Sequence, residues 1–349
     1  MKLIRYASIS FVVMNLIIIQ HSQARTFKSQ AATISIKASS GNTLPEGAVG
    51  LASQYTGDTG LASDTNVLYF DDFESYNTAS NLIGAGKWDS GYGINNIRIA
   101  SEAGNFYSGT KAAEFTLPKT SGEVSIEIFK EQNLPKLDTV FVRFYGKYAT
   151  GFDVLGSSHN GVFVASNYWR GLCQSSNSCG PGVKANGKNK FLISYEATRS
   201  ASNQPNPGSI ATYIYHPEQR DIWGDIFFPT GRVIPFDLTP YEAFNGTYSQ
   251  LPTYIPFVSR PEVTPQLNKW HCFEIMVKAN TPGSRDGRMA LWIDGKLIAD
   301  FTNLRLRDIA ELKIDHIGLS LHGNGGILET SKKYYDNVVI AKSYIGPMK

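Results

Sequence analysis

The stretch that decides the fold is WHCFEIMVKANTPGSRDGRMALWIDGK, residues 270–296. In its first third, Trp270, Cys272, Glu274 and Met276 alternate with His271, Phe273 and Ile275, which is the two-residue period of a β-strand. Asn280-Thr-Pro-Gly-Ser-Arg-Asp-Gly287 then turns the chain, Arg288–Asp294 returns, and Asp294-Gly295 makes another tight turn. Outward from this hairpin, short alternating runs broken by Gly, Pro and Asn recur. They include Val67–Phe70, Glu123–Phe129, Val140–Tyr148, Gly161–Ala165, Lys190–Ala197, Ala211–His216, Ile314–Leu321 and Tyr334–Ala341. Helical periodicity is confined to Leu304–Leu312. Strands spread this far without helical alternation predict one all-β antiparallel sandwich, with the Pro-rich stretch 199–265 forming long loops over one face.

Composition agrees. The chain has 349 residues, is 42% apolar and only 18% charged, and carries 32 Gly, 18 Tyr and 19 Phe. That suits a turn-rich, aromatic β protein with a sizeable core. Lys2 and Arg5 precede the apolar stretch Ile9–Ile19, and Ser22-Gln23-Ala24 supplies the small-x-small pattern of signal cleavage. Residues 1–24 therefore read as a signal peptide cut near Ala24, residues 25–49 as a flexible leader, and 50–349 as the functional domain. The expected location is outside the cell or in the periplasm. No other run approaches the ~18 apolar residues of a membrane span. The formal charge is +3 from 33 basic and 30 acidic residues, and losing Lys2 and Arg5 leaves 31 against 30. A nearly neutral chain has no field for nucleic acid. Cys173 and Cys179 flank a short polar loop that a local disulfide could staple, while Cys272 reads as a buried free thiol. No CxxC or HxxxH spacing supports zinc.

Three separated blocks carry a resemblance: GLASQYTGDTGLASDTNVLYFDDFE (50–74), residues 270–296, and YYDNVVIAKSYIGP (334–347). Together they resemble secreted bacterial concanavalin A-like jelly rolls, specifically the polysaccharide-lyase-like (heparin-lyase-I-like) group. The resemblance implies a β-jelly-roll sandwich of two antiparallel sheets with a polysaccharide groove on the concave face. This superfold hosts lyases, glycosidases and plain lectins. The resemblance also implies a structural Ca²⁺ on the convex side, held by Asp72, Glu74 and Asp336 where the first and last strands meet. An acidic turn beside a capped strand explains the same residues. No organic cofactor is expected.

Alternation sorts the chemistry by face. In Val140–Tyr148, Arg143, Tyr145 and Lys147 share a side opposite Val140, Val142 and Phe144, and could line a groove for an anionic sugar or an ordinary solvated face. Glu274, amid apolar neighbours, requires a cationic partner, and Arg143 is the expected one. His316 and His322 share a face of the strand near 314–322, Tyr213 pairs with Tyr215, His159 begins a strand after a Gly/Ser loop, and His216 ends one. If they converge, His159, His322, Tyr213 and Tyr215 are the expected acid–base set for β-elimination on a uronic acid. Arg143, Tyr145, Lys147, His216, Glu274 and His316 are then the expected substrate contacts. A non-catalytic lectin-like module is the alternative. A hydrolase needs two facing carboxylates, and Glu127-Ile-Phe-Lys-Glu131 lacks the E-x-D-x-x-E of jelly-roll glucanases. No G-x-S-x-G, P-loop or dinucleotide fingerprint is present.

Overall fold

The computed structural model describes residues 43–349 apart from 133, 157, 169–175, 200, 236–248 and 251–254. The expected signal peptide, most of the expected leader and Cys173 lie outside the described residues. Cys179 and Cys272 are both buried, and Cys272 is a free thiol.

Residues Leu44–Lys349 form one unit. Its strands in chain order are β1 (Val67–Asp71), β2 (Ser90–Tyr92), β3 (Ile97–Ala100), β4 (Ala112–Leu117), β5 (Glu123–Lys130) and β6 (Thr139–Tyr148). Then come β7 (Ser158–His159), β8 (Val162–Ser166), β9 (Phe191–Thr198), β10 (Ser209–Tyr215), β11 (Asp225–Phe227) and β12 (Arg232–Pro235). The last six are β13 (Ser249–Gln250), β14 (His271–Lys278), β15 (Gly287–Ile293), β16 (Lys296–Leu304), β17 (His316–Asn324) and β18 (Ser331–Ala341). They build an eight-stranded sheet ordered β16-β15-β14-β6-β18-β4-β3, with β1 also on β18. A ten-stranded sheet runs β13-β12-β11-β10-β9-β8-β17-β5-β2, with β7 also on β17. All the ladders are antiparallel, so the expected jelly-roll sandwich is what the chain forms.

The expected helix at Leu304–Leu312 is absent. Leu304 closes β16, and Leu306 and Leu312 drop into the core while Arg307 donates to the Asn280 and Leu312 carbonyls. The stretch 199–265 also holds more strand than expected, because β11, β12 and β13 extend the ten-stranded sheet one after another.

Between the sheets, Val140, Val142 and Phe144 of β6 and Phe273, Ile275 and Val277 of β14 meet Ile128, Val164, Ile193, Ile317 and Leu319. Each such side chain contributes roughly 1.5–3 kcal/mol by leaving water. The opposite side of the eight-stranded sheet is also covered. Leu51, Ala52 and Leu61, from short 3₁₀ turns, pack with Val339, Ala341 and Ile345. Beneath that cover the Arg143 guanidinium, with no exposed surface, is paired with Asp58 and also donates to the Gly346 and Asn337 carbonyls. Asp58→Ala leaves that guanidinium buried without its counter-charge, and the expected cost is about 3–5 kcal/mol of folding free energy. Urea denaturation of the variant checks it.

Candidate active site

The outer face of the ten-stranded sheet has an apolar base and a polar middle. Phe129, Phe163, Leu192, Tyr213, Tyr215 and Ile226 make a cluster separate from the main core. Register arranges the face in rows that cross the strands. One row runs Tyr213, Ser194, Phe163, Gly318, Phe129, and a neighbouring one runs Tyr215, Leu192, Ala165, His316. Gly318 is needed there, since a Cβ would lie 2.5 Å from Phe163 and 2.8 Å from Phe129. Beyond them, Ser320 stands opposite Glu127, and His322 stands opposite His159.

Four of the expected residues converge on this face. The His159 ring stacks against His322 with centroids 5.4 Å apart and lies 4.8 Å from the Tyr213 ring. Tyr213 in turn meets Tyr215 edge-on at 5.3 Å. His159 Nδ1 is 2.9 Å from Glu196 Oε2, which also accepts from Ser194 Oγ at 2.7 Å. Burial works against a charged His159, but the Glu196 carboxylate outweighs it, Glu127 adds to it, and the imidazole is held above its ordinary 6.5. His322 goes the other way: burial and the adjacent His159 cation bring it down to about 4. Its Nε2 pairs with Asn324 Oδ1 at 2.6 Å, an arrangement that assigns the proton to Nε2 and leaves Nδ1 as the basic nitrogen. Burial raises both phenols, so they remain protonated at neutral pH; Tyr213 Oη accepts from Gly224 N–H and Tyr215 Oη from Gly182 N–H.

Glu196, Glu127 and Lys190 belong to the site although the sequence reading assigned them no part in it. Glu127 is held up by burial and accepts from Ser320 Oγ at 3.2 Å. Lys190 Nζ lies 3.7 Å from the Tyr215 ring centre, donates to the Gly180 carbonyl, and is pushed down to about 7 by burial. The available signal was alternation in β9, which puts Lys190, Leu192, Ser194 and Glu196 on one face. A lone carboxylate in a buried strand with no other charged side chain marks a partnered site.

The expected substrate contacts are corrected by their placement. Arg143, Tyr145, Lys147 and Glu274 belong to the other sheet and point away from the imidazoles. Arg143 is spent on Asp58, and the Glu274 carboxylate accepts from the Ile345 and Gly346 N–H groups at 2.8 Å each; burial raises it to about 7. Tyr145 accepts from Met348 N–H and stacks on Tyr107 at 3.6 Å, while Lys147 donates to Gly104 and Asn105. His216 is buried against Phe227, with Nε2 3.2 Å from Asp225, on the core side of β10. His316 is on the active face but wedged between Phe129 and Phe163, with Glu131 at 3.8 Å.

The expected calcium ligands do not form a set. Glu74 accepts from Thr110 and Lys111, and Asp336 from the Tyr107, Ser108 and Asn337 N–H groups. Asp72 accepts from Glu74 N–H. Among the described residues no three His, Cys, Asp or Glu side chains group as metal ligands.

No protein-family model matches the sequence, and no curated protein does. Solved structures do. A mutant of alginate lyase Aly36B in complex with alginate trisaccharide matches with a TM-score of 0.52 at 16% identity, over 80% of this chain and 100% of that one. The PL-14 alginate lyase from Aplysia kurodai matches with a TM-score of 0.53 at 12% identity, over 78% of this chain and 98% of that one. The chain shares its fold with these alginate lyases. At these identities the likeness speaks to the fold, and the chemistry rests on the residues above.

The His159–Glu196 contact is directly measurable. In Glu196→Gln the counter-charge is gone while burial remains, so the His159 pKa is expected to drop below its wild-type value. Histidine ring resonances followed by NMR across pH read the shift.

Proposed function

We propose that this protein is a secreted polysaccharide lyase that cleaves a uronate-containing chain by β-elimination on the outer face of the ten-stranded sheet. The observation that carries the reading is the position of His159, whose charged form Glu196 favours, in ring contact with both the imidazole of His322 and the phenol of Tyr213. The fold it shares with alginate lyases supports the same class of substrate, and alginate is the first polymer to try. Export follows from residues 1–24, and a Cys173–Cys179 bridge would suit that compartment.

Elimination needs three things, and the set supplies each. The C5 proton of a uronate is weakly acidic until its carboxylate is neutralised, and the His159 imidazolium does this. His322 Nδ1 then takes the C5 proton. Tyr213 gives its phenolic proton to O4 as the C4–O4 bond breaks, and the electron pair left at C5 becomes the C4=C5 double bond. One proton leaves carbon and one reaches oxygen, and exchange with solvent resets both side chains.

Mature protein mixed with alginate and other uronate polymers is expected to generate the ultraviolet absorbance of the conjugated C4=C5 carboxylate. His159→Ala and Tyr213→Phe should each lower that rate by about 10²–10⁴-fold. A flat trace with retained binding would make the face a lectin, and new reducing ends without absorbance would make it a hydrolase.

The pH profile tests the roles. His322 must be neutral to accept a proton, so kcat/KM should rise as pH climbs through about 4. His159 must be cationic to neutralise the carboxylate, so kcat/KM should fall again above 6.5, once pH passes its raised pKa. Glu196→Gln should move the alkaline limb to lower pH and leave the acid limb in the same region.

A further inference from the structure

On the core side of the active face stands a polar column that the elimination steps do not use. β7 and β8 are one strand line interrupted at Asn160 and Gly161. Gly161 passes so close to β9 that a Cβ would lie 1.8 Å from the Tyr195 carbonyl oxygen. Across the break the Asn160 side chain takes over the pairing of a backbone residue. Its Oδ1 accepts from Ala197 N–H at 3.0 Å, and its Nδ2 donates to the Ala197 carbonyl at 2.7 Å and to Ser158 Oγ at 3.1 Å. Asn160 follows His159 in the chain, and Ala197 follows Glu196. The amide therefore ties together the two backbones that carry the imidazole and its carboxylate.

That tie is braced from the opposite sheet. Tyr148 of β6 donates to Asn160 Oδ1 at 2.6 Å. Lys333 of β18 donates to the Asn160 carbonyl and, at 2.9 Å, to the Tyr148 hydroxyl. Nearby, Tyr335 of β18 donates to the Ser320 carbonyl at 2.5 Å, and Ser320 N–H donates to Gly161 at 2.8 Å. Lys333 is 1% exposed, and its amine lies beside the stacked Phe144 and Phe273 rings, 5.4 Å and 5.3 Å from their centres. A lysine in such a place costs desolvation that an apolar residue of the same length avoids. Stability alone therefore gives no reason for an amine there, whereas precise placement of a catalytic group does.

We propose that Asn160, Tyr148 and Lys333 form a strut between the sheets that positions His159 against Glu196 and so sets the catalytic competence of the imidazole. All three are positioning residues, since none faces the substrate side. The consequence for turnover rests on the lyase reading, but the placement of the imidazole can be measured without turnover. The groups that face His159 are Glu196, Glu127, His322 and Tyr213, and those around the Lys333 amine are Tyr148, Tyr335 and, more distantly, Glu196.

The experiment uses Tyr148→Phe, which removes one oxygen, alongside Lys333→Met and Asn160→Ala in the full mature chain. For each, the His159 pKa is read by NMR, the melting temperature by calorimetry, and kcat and KM on the uronate polymer that wild type cleaves. The expected result is a His159 pKa lowered by about half a unit or more, largest in Asn160→Ala, because the carboxylate contact loosens. With it kcat should fall roughly tenfold while KM changes little, as expected for a misplaced group. Unchanged titration and kcat in folded Tyr148→Phe and Lys333→Met overturn the proposal, even where the melting temperature drops, since a brace for stability alone moves only the melting temperature. Where Lys333→Met or Asn160→Ala fails to fold, Tyr148→Phe decides. If wild type cleaves no uronate polymer, the lyase reading fails by itself, and the NMR titration alone passes judgement on the strut.

Discussion

Successive side chains of a strand leave on opposite faces, and two packed sheets have only one shared interior. Everything in this structure follows from how that constraint is met. The residues of β5, β8, β9, β10 and β17 that point inward are almost all aliphatic or aromatic, so their outward partners are free to carry chemistry. Those outward partners are themselves largely shielded, by Phe129, Phe163, Tyr213 and Tyr215 packed around them. An imidazole beside a carboxylate in such surroundings feels a far stronger field than it would in water. The charge state of His159 is thus a property of the whole face rather than of one contact.

The same alternation explains what was legible in the sequence and what was not. The sandwich could be read because residues 270–296 and the other runs repeat a two-residue period between turn signals. His159, His322, Tyr213 and Tyr215 could be grouped because alternation places each on a definite side of its strand. Alternation says which residues share a face, but not which of the two sheets the face belongs to. Arg143, Tyr145 and Lys147 had the right pattern on the wrong sheet, and residues 51–63 and 344–348 cover or tether that side. Glu274 did sit opposite Arg143 in register, yet the guanidinium reached Asp58 and the carboxylate reached the Ile345 and Gly346 N–H groups. Such choices depend on contacts between residues more than seventy positions apart, which no local period encodes. Asn160 was invisible for another reason. Its function is to replace a missing ladder bond, and nothing in the string GSSHNGVFV marks where the ladder breaks.

Burial of ionisable groups between the sheets follows a single logic. Lys333 is driven well below the ordinary lysine range by burial, so it can serve as a neutral donor in the core without an ion-pair partner. Arg143 has no such option, because a guanidinium does not give up its proton, and it must keep a carboxylate beside it. One sheet therefore contributes a neutral brace toward the active face, while on its far side a true ion pair fastens the terminal segments. The two buried basic side chains are not interchangeable, and their partners differ for that reason.

The coupling of His159 to His322 has a consequence for the order of events. Burial and the neighbouring His159 charge together make His322 a poor base in the free protein, because a proton there would sit beside another cation. A uronate carboxylate settling on His159 cancels that repulsion, and the basicity of His322 then rises when a C5 proton comes within reach. A neutral sugar at the same place leaves the repulsion intact. The pair therefore distinguishes an anionic residue from a neutral one twice, first in binding and again in the strength of the base. In the proposed lyase mechanism, selection for uronates would come from the electrostatics of the two rings and would not require a separate arginine clamp.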